Sequence, residues 1–194
     1  MNMIGRIEVI TGPMFSGKTS ELLTKMKRVE FSKRDYLLFK PHIDTRYSDN
    51  EVVSHNKNAL KAHNVSNAKD ILEICEKHQH IKNIGIDEIQ FLNFQNPVSM
   101  VESLFHLKRK GYQIITACLD MDALGKPFPG IPELLAIADG IAKLKAVCFE
   151  CGNDAGMSHR ISTSTAQIEI GEKDKYEALC FSCWHLKNPE KDSQ

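Results

Sequence analysis

The sequence of 194 residues has no surplus of charge of either sign, no long apolar run and few aromatic side chains. Its 25 Lys and Arg balance 25 Asp and Glu, so the broad positive field by which a protein binds nucleic acid or an anionic membrane surface is missing. Aromatic residues make up only 7% of the chain, which also speaks against a stacking platform for nucleic-acid bases. No segment approaches the roughly 20 apolar residues needed to cross a bilayer, and the opening Met1-Asn2-Met3-Ile4-Gly5-Arg6 lacks the layout of a signal peptide. A cytoplasmic protein is expected, with neither membrane nor nucleic acid among its partners. No internal repeat is evident, which excludes a solenoid. The length suits one ordinary domain plus a small appendage, and a hydrophobic fraction of 42% is enough for a packed core.

What is present is concentrated in three places. The first is Gly12-Pro13-Met14-Phe15-Ser16-Gly17-Lys18-Thr19, whose glycines, lysine and threonine stand at the spacing that wraps backbone N–H groups around a nucleotide's phosphates. Lys18 brings a mobile positive charge to the β/γ bridge, and the Thr19 hydroxyl is placed to hold Mg²⁺. The context fits. Arg6 to Thr11 reads as a short β-branched strand, and Glu21 to Lys33 as a helix with Leu22, Leu23, Met26 and Val29 on one side. The motif implies a protein that handles a nucleoside triphosphate.

Apolar runs alternate with helical patterns along the first 147 residues, as a parallel sheet flanked by helices requires. After Arg6–Thr11 the expected strands are Tyr36 to Lys40, Ile81 to Ile86, Gln113 to Leu119 and Gly140 to Val147, with helices over Ala68 to His78 and Pro97 to Lys110. Ala123 to Pro132, rich in proline and glycine, reads as a loop. Thr11, Asp87, Glu88 and Asp120 gather at the C-terminal ends of strands, the edge at which open α/β sheets bind ligands. Asp87 is the candidate partner of Thr19 for the metal, and Glu88 is placed to take a proton from an attacking hydroxyl. An Asp-Glu pair here also suits an ATPase whose Glu polarises water, so the pair alone leaves kinase and ATPase open. Asp44 and Arg46, just after the second strand, are candidates for the metal's outer shell and for the phosphates, or form a solvated turn.

The third place is Cys148-x-x-Cys151 with Cys180-x-x-Cys183. Two such pairs have the layout of metal knuckles closing a tetrahedral thiolate site, with zinc the expected occupant in a structural role. Cys75 and Cys118 read as core residues, and His159 and His185 as spare donors or, more readily, as residues at the surface or behind the ligands. The residues between the pairs, 152–179, are too many for a knuckle. They suit a loop clamped at its base that closes over a ligand, with Gln167-Ile168-Glu169-Ile170-Gly171 as an extended edge. Tyr176 reads equally as an aromatic plate against a flat ring or as a core residue. The chain thus divides into 1–147, 148–187 and a tail of 188–194. A deoxyribonucleoside kinase, an ATPase serving a protein partner and a zinc-ribbon nucleic-acid binder with a nucleotide switch all fit parts of this pattern, and the charge balance disfavours the last.

Taken in order, Gly12-Pro-Met-Phe-Ser-Gly-Lys-Thr19, Lys40-Pro-x-x-Asp-Thr-Arg46, Ile86-Asp-Glu-x-Gln-Phe91, Leu119-Asp, Lys126-Pro-Phe128, Lys143-Leu-x-Ala-Val-Cys148, the paired cysteines and Lys175-Tyr176 resemble the type II, cellular-type thymidine kinases over nearly the whole length. The resemblance implies a P-loop NTPase-like parallel sheet with a small C-terminal zinc unit carrying a lasso-type lid. It implies transfer of the γ-phosphoryl of ATP, with Mg²⁺, to the 5′-hydroxyl of thymidine or deoxyuridine, with Glu88 as the base. Met14, Phe91, Leu119, Phe128 and Tyr176 match positions around the nucleoside, and Ser158 the small hydroxylated residue near the 5-methyl group. The stretch 160–176, with Gln167 to Gly171 in it, corresponds to the lasso that grips the pyrimidine through its main chain. A homotetramer and feedback inhibition by dTTP are further expectations. Two positions depart from the family pattern: Ala123 stands where many relatives have Phe, and Pro129-Gly130 reverses the usual order after the aromatic.

Overall fold

The computed structural model describes residues 4–42, 51–53, 59–92, 97–161 and 175–189. Its elements are β1 (Arg6–Thr11), α1 (Lys18–Phe31), β2 (Tyr36–Pro41), β3 (Glu51–Val53), β4 (Ala59–Lys61), β5 (His63–Val65), α2 (Ala68–Lys77), β6 (Asn83–Ile86), a 3₁₀ turn (Ile89–Leu92), α3 (Pro97–Arg109) and β7 (Gln113–Cys118). They continue with α4 (Ile131–Ile137), β8 (Gly140–Lys143), β9 (Ala146–Val147), β10 (Asp154–Ala155), β11 (Met157–Arg160), β12 (Tyr176–Leu179) and α5 (Phe181–Lys187).

Six strands form one sheet in the order β5-β2-β6-β7-β1-β8, and every neighbouring pair is parallel. The expected α/β sheet is therefore present. Parallel strands must be joined by crossovers, and the side chains divide accordingly. Ile7, Val9, Leu37 and Phe39 pack with α2, α3 and α4 on one face, while Ile10 and Leu38 pack with Leu22, Leu23 and Met26 of α1 on the other. The alternation of neighbours such as Leu37, Leu38 and Phe39 is the period of two that a strand imposes. Both faces are covered, which is why the strands read as nearly continuous apolar runs.

Three differences from the sequence expectations concern connections. The run Gly140 to Val147 is two strands: β8 adds to the edge of the large sheet, whereas β9 pairs antiparallel with β10 in the cysteine-bearing unit. The break falls at Leu144, whose N–H donates to Thr11 O at 2.7 Å as the chain leaves the sheet. The 123–132 stretch ends in a helix, α4, entered through Gly130 with φ 78°. The short strands β3, β4 and β5 carry no apolar period long enough to announce them.

α1 lies close against β6 because Gly85 has no side chain. A Cβ at Gly85 would meet Leu38 Cδ1 at 2.8 Å and Met26 Sδ at 2.9 Å. Both obstacles are ends of flexible side chains, so Gly85→Ala should fold but cost about 1–3 kcal/mol through overpacking. Chemical denaturation checks this; an unchanged midpoint would mean that α1 does not press on β6 at this point.

Candidate active site

β1 and β7 end together, with Thr11 paired to Cys118, and β6 ends beside them through the Ile86–Thr116 pair. The phosphate-type loop, the two acids and Asp120 therefore issue from three adjacent strands at one edge.

The loop turns at Gly12 with φ 144°, a conformation open to glycine, and a Cβ there would stand 2.4 Å from Leu144 O. Gly17, at φ 83°, is the N-cap of α1 and has no side chain to occupy the helix's free N–H groups. Those N–H groups and the positive end of the helix dipole face the loop, the usual setting for a phosphate. Lys18 is buried, and its Nζ donates to Pro13 O at 2.7 Å, using one of the three ammonium donors. Burial draws the Lys18 pKa down, against the pull of the Glu88 and Asp87 carboxylates that favour its charge. Cys118, in contrast, is pushed up to about 12, chiefly by burial. It stays a thiol and belongs to the core, as does Cys75.

Thr19 and Asp87 meet as the sequence suggested: Thr19 Oγ1 donates to Asp87 at 3.1 Å to Oδ2 and 3.4 Å to Oδ1. Asp87 is anchored, because its N–H donates to Phe39 O at 2.9 Å and its Oδ1 accepts from Glu88 N–H at 3.1 Å. Glu88 sits at φ 47°, in the left-handed region that a residue with a side chain occupies only where its surroundings hold it. Its carboxylate Oε2 accepts a hydrogen bond from Gln90 Nε2. Gln90 is completely buried, and its Oε1 accepts from Leu119 N–H at 3.1 Å. Gln90 lies within the Ile86–Phe91 motif, whose spacing assigns it no role. The only local signal is a lone amide in the apolar turn Ile89-Gln90-Phe91-Leu92.

Asp120, also buried, pairs with Lys143 Nζ at 2.8 Å and caps Met121 N–H. Beside it Phe128 and Phe91 meet edge to face, with ring centroids 6.3 Å apart. Phe128 is in the core, whereas Phe91, Leu119 and Met14 are half-buried. Ser158 is buried on β11, and its Oγ accepts from Met14 N–H at 3.0 Å. Tyr176 is buried on β12, with its hydroxyl accepting from the Arg160 guanidinium at 3.1 and 3.2 Å. Asp44, Arg46 and Gln167, Ile168, Glu169, Ile170 and Gly171 lie outside the described residues.

The cysteine-bearing unit has a small core of its own, containing Ala155, Met157, Leu179 and Trp184, onto which Phe15 of the phosphate loop and Met121 pack. Trp184 Nε1 donates to Ala123 O at 3.3 Å, so Ala123, a departure from the family pattern, serves here through its carbonyl. The Sγ atoms of Cys148, Cys151, Cys180 and Cys183 all lie within 4.8 Å of one another. A tetrahedral zinc thiolate site, with Zn–S near 2.3 Å, needs sulfurs about 3.8 Å apart, and Cys151 and Cys180 stand at 3.6 Å. Burial works against the Cys148 thiolate, yet the N–H groups of Cys180, Cys151 and Glu150 bring its pKa down to about 6. The Cys183 thiol is pushed up to about 12, first through its hydrogen bond with Cys180. Such crowding of sulfurs is what a bound dication relieves. Neither His159, which contacts Asn188 at 3.1 Å, nor His185, stacked on Phe181, belongs to the sulfur cluster.

A family model described as thymidine kinase matches residues 5–184. The chain belongs to the thymidine kinase family. It is 42% identical over 180 residues to thymidine kinases of Bacteroides fragilis and Bacteroides thetaiotaomicron, covering 93% of this chain and 87% of each relative. Against a thymidine kinase of Porphyromonas gingivalis the identity is 41% over 180 residues, with 93% and 85% covered. Family membership makes ATP with Mg²⁺ the expected occupant of the phosphate loop. Among the described residues no helix is long and apolar enough to cross a membrane.

For this family member the loop geometry gives a direct test. Gly12→Ala forces a side chain into φ 144° and against Leu144 O, so affinity for a fluorescent ATP analogue should fall by about tenfold or more, the effect of roughly 1.4 kcal/mol. Undiminished affinity would show that the loop tolerates another path at Gly12.

Proposed function

We propose that this chain transfers the γ-phosphoryl group of ATP to the 5′-hydroxyl of thymidine, and of deoxyuridine. The observation that carries the reading is the Thr19–Asp87 contact with Glu88 beside it, on the same sheet edge as the Gly12–Thr19 loop. A phosphate cradle, a hydroxyl–carboxylate pair suited to a divalent cation and a separate carboxylate suited to a proton are what transfer to an alcohol requires. The thymidine kinase relatives support the choice of acceptor.

In this reading the loop's N–H groups and Lys18 orient the triphosphate and neutralise charge on it. Thr19 and Asp87 would hold the Mg²⁺ that accompanies ATP, and this ion supplies further positive charge at the phosphates. Asp44 and Arg46 join that end of the site. Glu88 accepts the 5′-hydroxyl proton as the oxygen attacks. Met14, Phe91, Leu119, Phe128, Ser158 and Tyr176 surround the nucleoside, and the segment from Gln167 to Gly171 binds the base through its main chain and excludes water. Zinc on Cys148, Cys151, Cys180 and Cys183 is structural, since four thiolates leave no open position for chemistry. A homotetramer, feedback inhibition by dTTP and a cytoplasmic location complete the reading.

A coupled ATP assay with thymidine, deoxyuridine, other nucleosides or none tests the reaction. Thymidine-dependent turnover giving thymidine monophosphate is expected, whereas ATP hydrolysis indifferent to nucleoside would replace the kinase by an ATPase. Glu88→Gln should lower kcat by about 10²-fold or more while leaving ATP binding nearly intact; wild-type turnover would remove Glu88 from the role of base. For the metal, about one zinc per chain is expected. The single tryptophan, Trp184, is buried next to Cys183, so strong chelation should shift its emission to the red as the unit loosens. Metal-free protein with unchanged emission and full activity would refute the structural zinc.

A further inference from the structure

We propose that Gln90 is a positioning residue that fixes the Glu88 carboxylate and sets its distance from the wall of the acceptor site. This inference rests on the reading of Glu88 as the base. Gln90 is fully buried in the 3₁₀ turn that follows the acid pair, where an unpaired amide would bear the full desolvation penalty of each group left unsatisfied. Both its ends are used. Leu119 N–H can only donate, so the atom it meets at 3.1 Å must be the amide oxygen, and that leaves the NH₂ group for Glu88 Oε2. The orientation of the amide is thereby fixed by chemistry, with a donor aimed at a carboxylate that can only accept while ionised.

The Glu88 backbone at φ 47° gains nothing from local preference, so its geometry depends on what grips it. Phe91 N–H holds the Glu88 carbonyl at 3.0 Å, and Gln90 holds the side chain. Through its oxygen Gln90 also ties this turn to the end of β7. There Leu119 begins the segment whose Asp120 carbonyl accepts from Phe128 N–H at 3.1 Å. One side chain thus spans from the proposed base to the strand end that carries Leu119 and leads to Phe128. Positioning of a reacting group matters steeply, and a shift of about 1 Å can lower turnover by about 10²-fold.

Two substitutions separate the ends of the amide. Gln90→Leu keeps much of the volume and loses both hydrogen bonds; Gln90→Met keeps the length and a weak sulfur acceptor for Leu119 N–H and loses the donor to Glu88. Both are expected to lower kcat at least about tenfold with the KM values for ATP and thymidine within about twofold, the signature of an interaction that counts in the transition state. In the Glu88→Gln background, adding Gln90→Leu should lower kcat no more than about twofold further, because Gln90 then has no base to orient. Thermal melting of each variant corrects for loss of folded protein, which by itself would not produce this dependence on Glu88.

Wild-type kcat in Gln90→Met would overturn the proposal, since the donor would then be dispensable. So would a double variant as slow as the product of the two single effects, which would make Gln90 independent of Glu88. If Glu88→Gln alone keeps wild-type turnover, the base assignment itself fails and the positioning role fails with it. If Glu88→Gln is slow and both Gln90 variants are fast, only the positioning role fails.

Discussion

The parallel hydrogen-bond ladder of β6, β7 and β1 is the constraint on which the site depends. Its register ends three strands within one pleat of each other, with Thr11 against Cys118 and Ile86 against Thr116. The glycine-rich loop, Leu119-Asp120 and Asp87-Glu88 are the next residues on those strands. A slip of one residue in any of them would turn every inward side chain to the opposite face and cost the buried core on both sides of the sheet. Burial of residues such as Ile7, Val9, Ile84 and Ile86 therefore holds the strand ends in place.

Upon this edge the cysteine-bearing unit is seated by unlike contacts. Phe15 and Met121 enter its core, Trp184 donates to the Ala123 carbonyl, and Ser158 accepts from Met14 N–H. A unit this small has too little apolar surface to order itself unaided, and small folds of this kind rely on a metal or a cross-link. The four sulfurs, two following β9 and two at the end of β12 and in α5, form a cluster that can hold such a metal.

Much of this was legible in the sequence, for reasons that are local. Arg6–Thr11 and Gln113 to Cys118 are β-branched runs that turn or polar residues interrupt, and α2 starts at the expected Ala68, where the structure shows Asn67 and Asp70 forming a capping box. The glycine-rich loop and the acids are set by neighbours in the chain, so their spacing carries their geometry. α4 was hidden because Gly130 and Pro132 look like loop residues, although a left-handed glycine followed by a proline in the first turn is a sound helix start. The split of Gly140 to Val147 was hidden because both halves are apolar and only the partner strand differs. Gln90 and Ser158 reach partners 29 and 144 positions away, and no periodicity in the chain records such a meeting.

The Ser158–Met14 hydrogen bond links two properties that might otherwise vary separately. A residue at 158 must fit what lies over β11 and must also offer an oxygen to the backbone of the phosphate loop at 3.0 Å. Valine or alanine at this position fills or empties space but leaves a loop N–H without its acceptor. Under the proposed placement of Ser158 beside the nucleoside, redesign of acceptor preference at this position is therefore confined to hydroxyl-bearing side chains unless the phosphate loop is allowed to change with it.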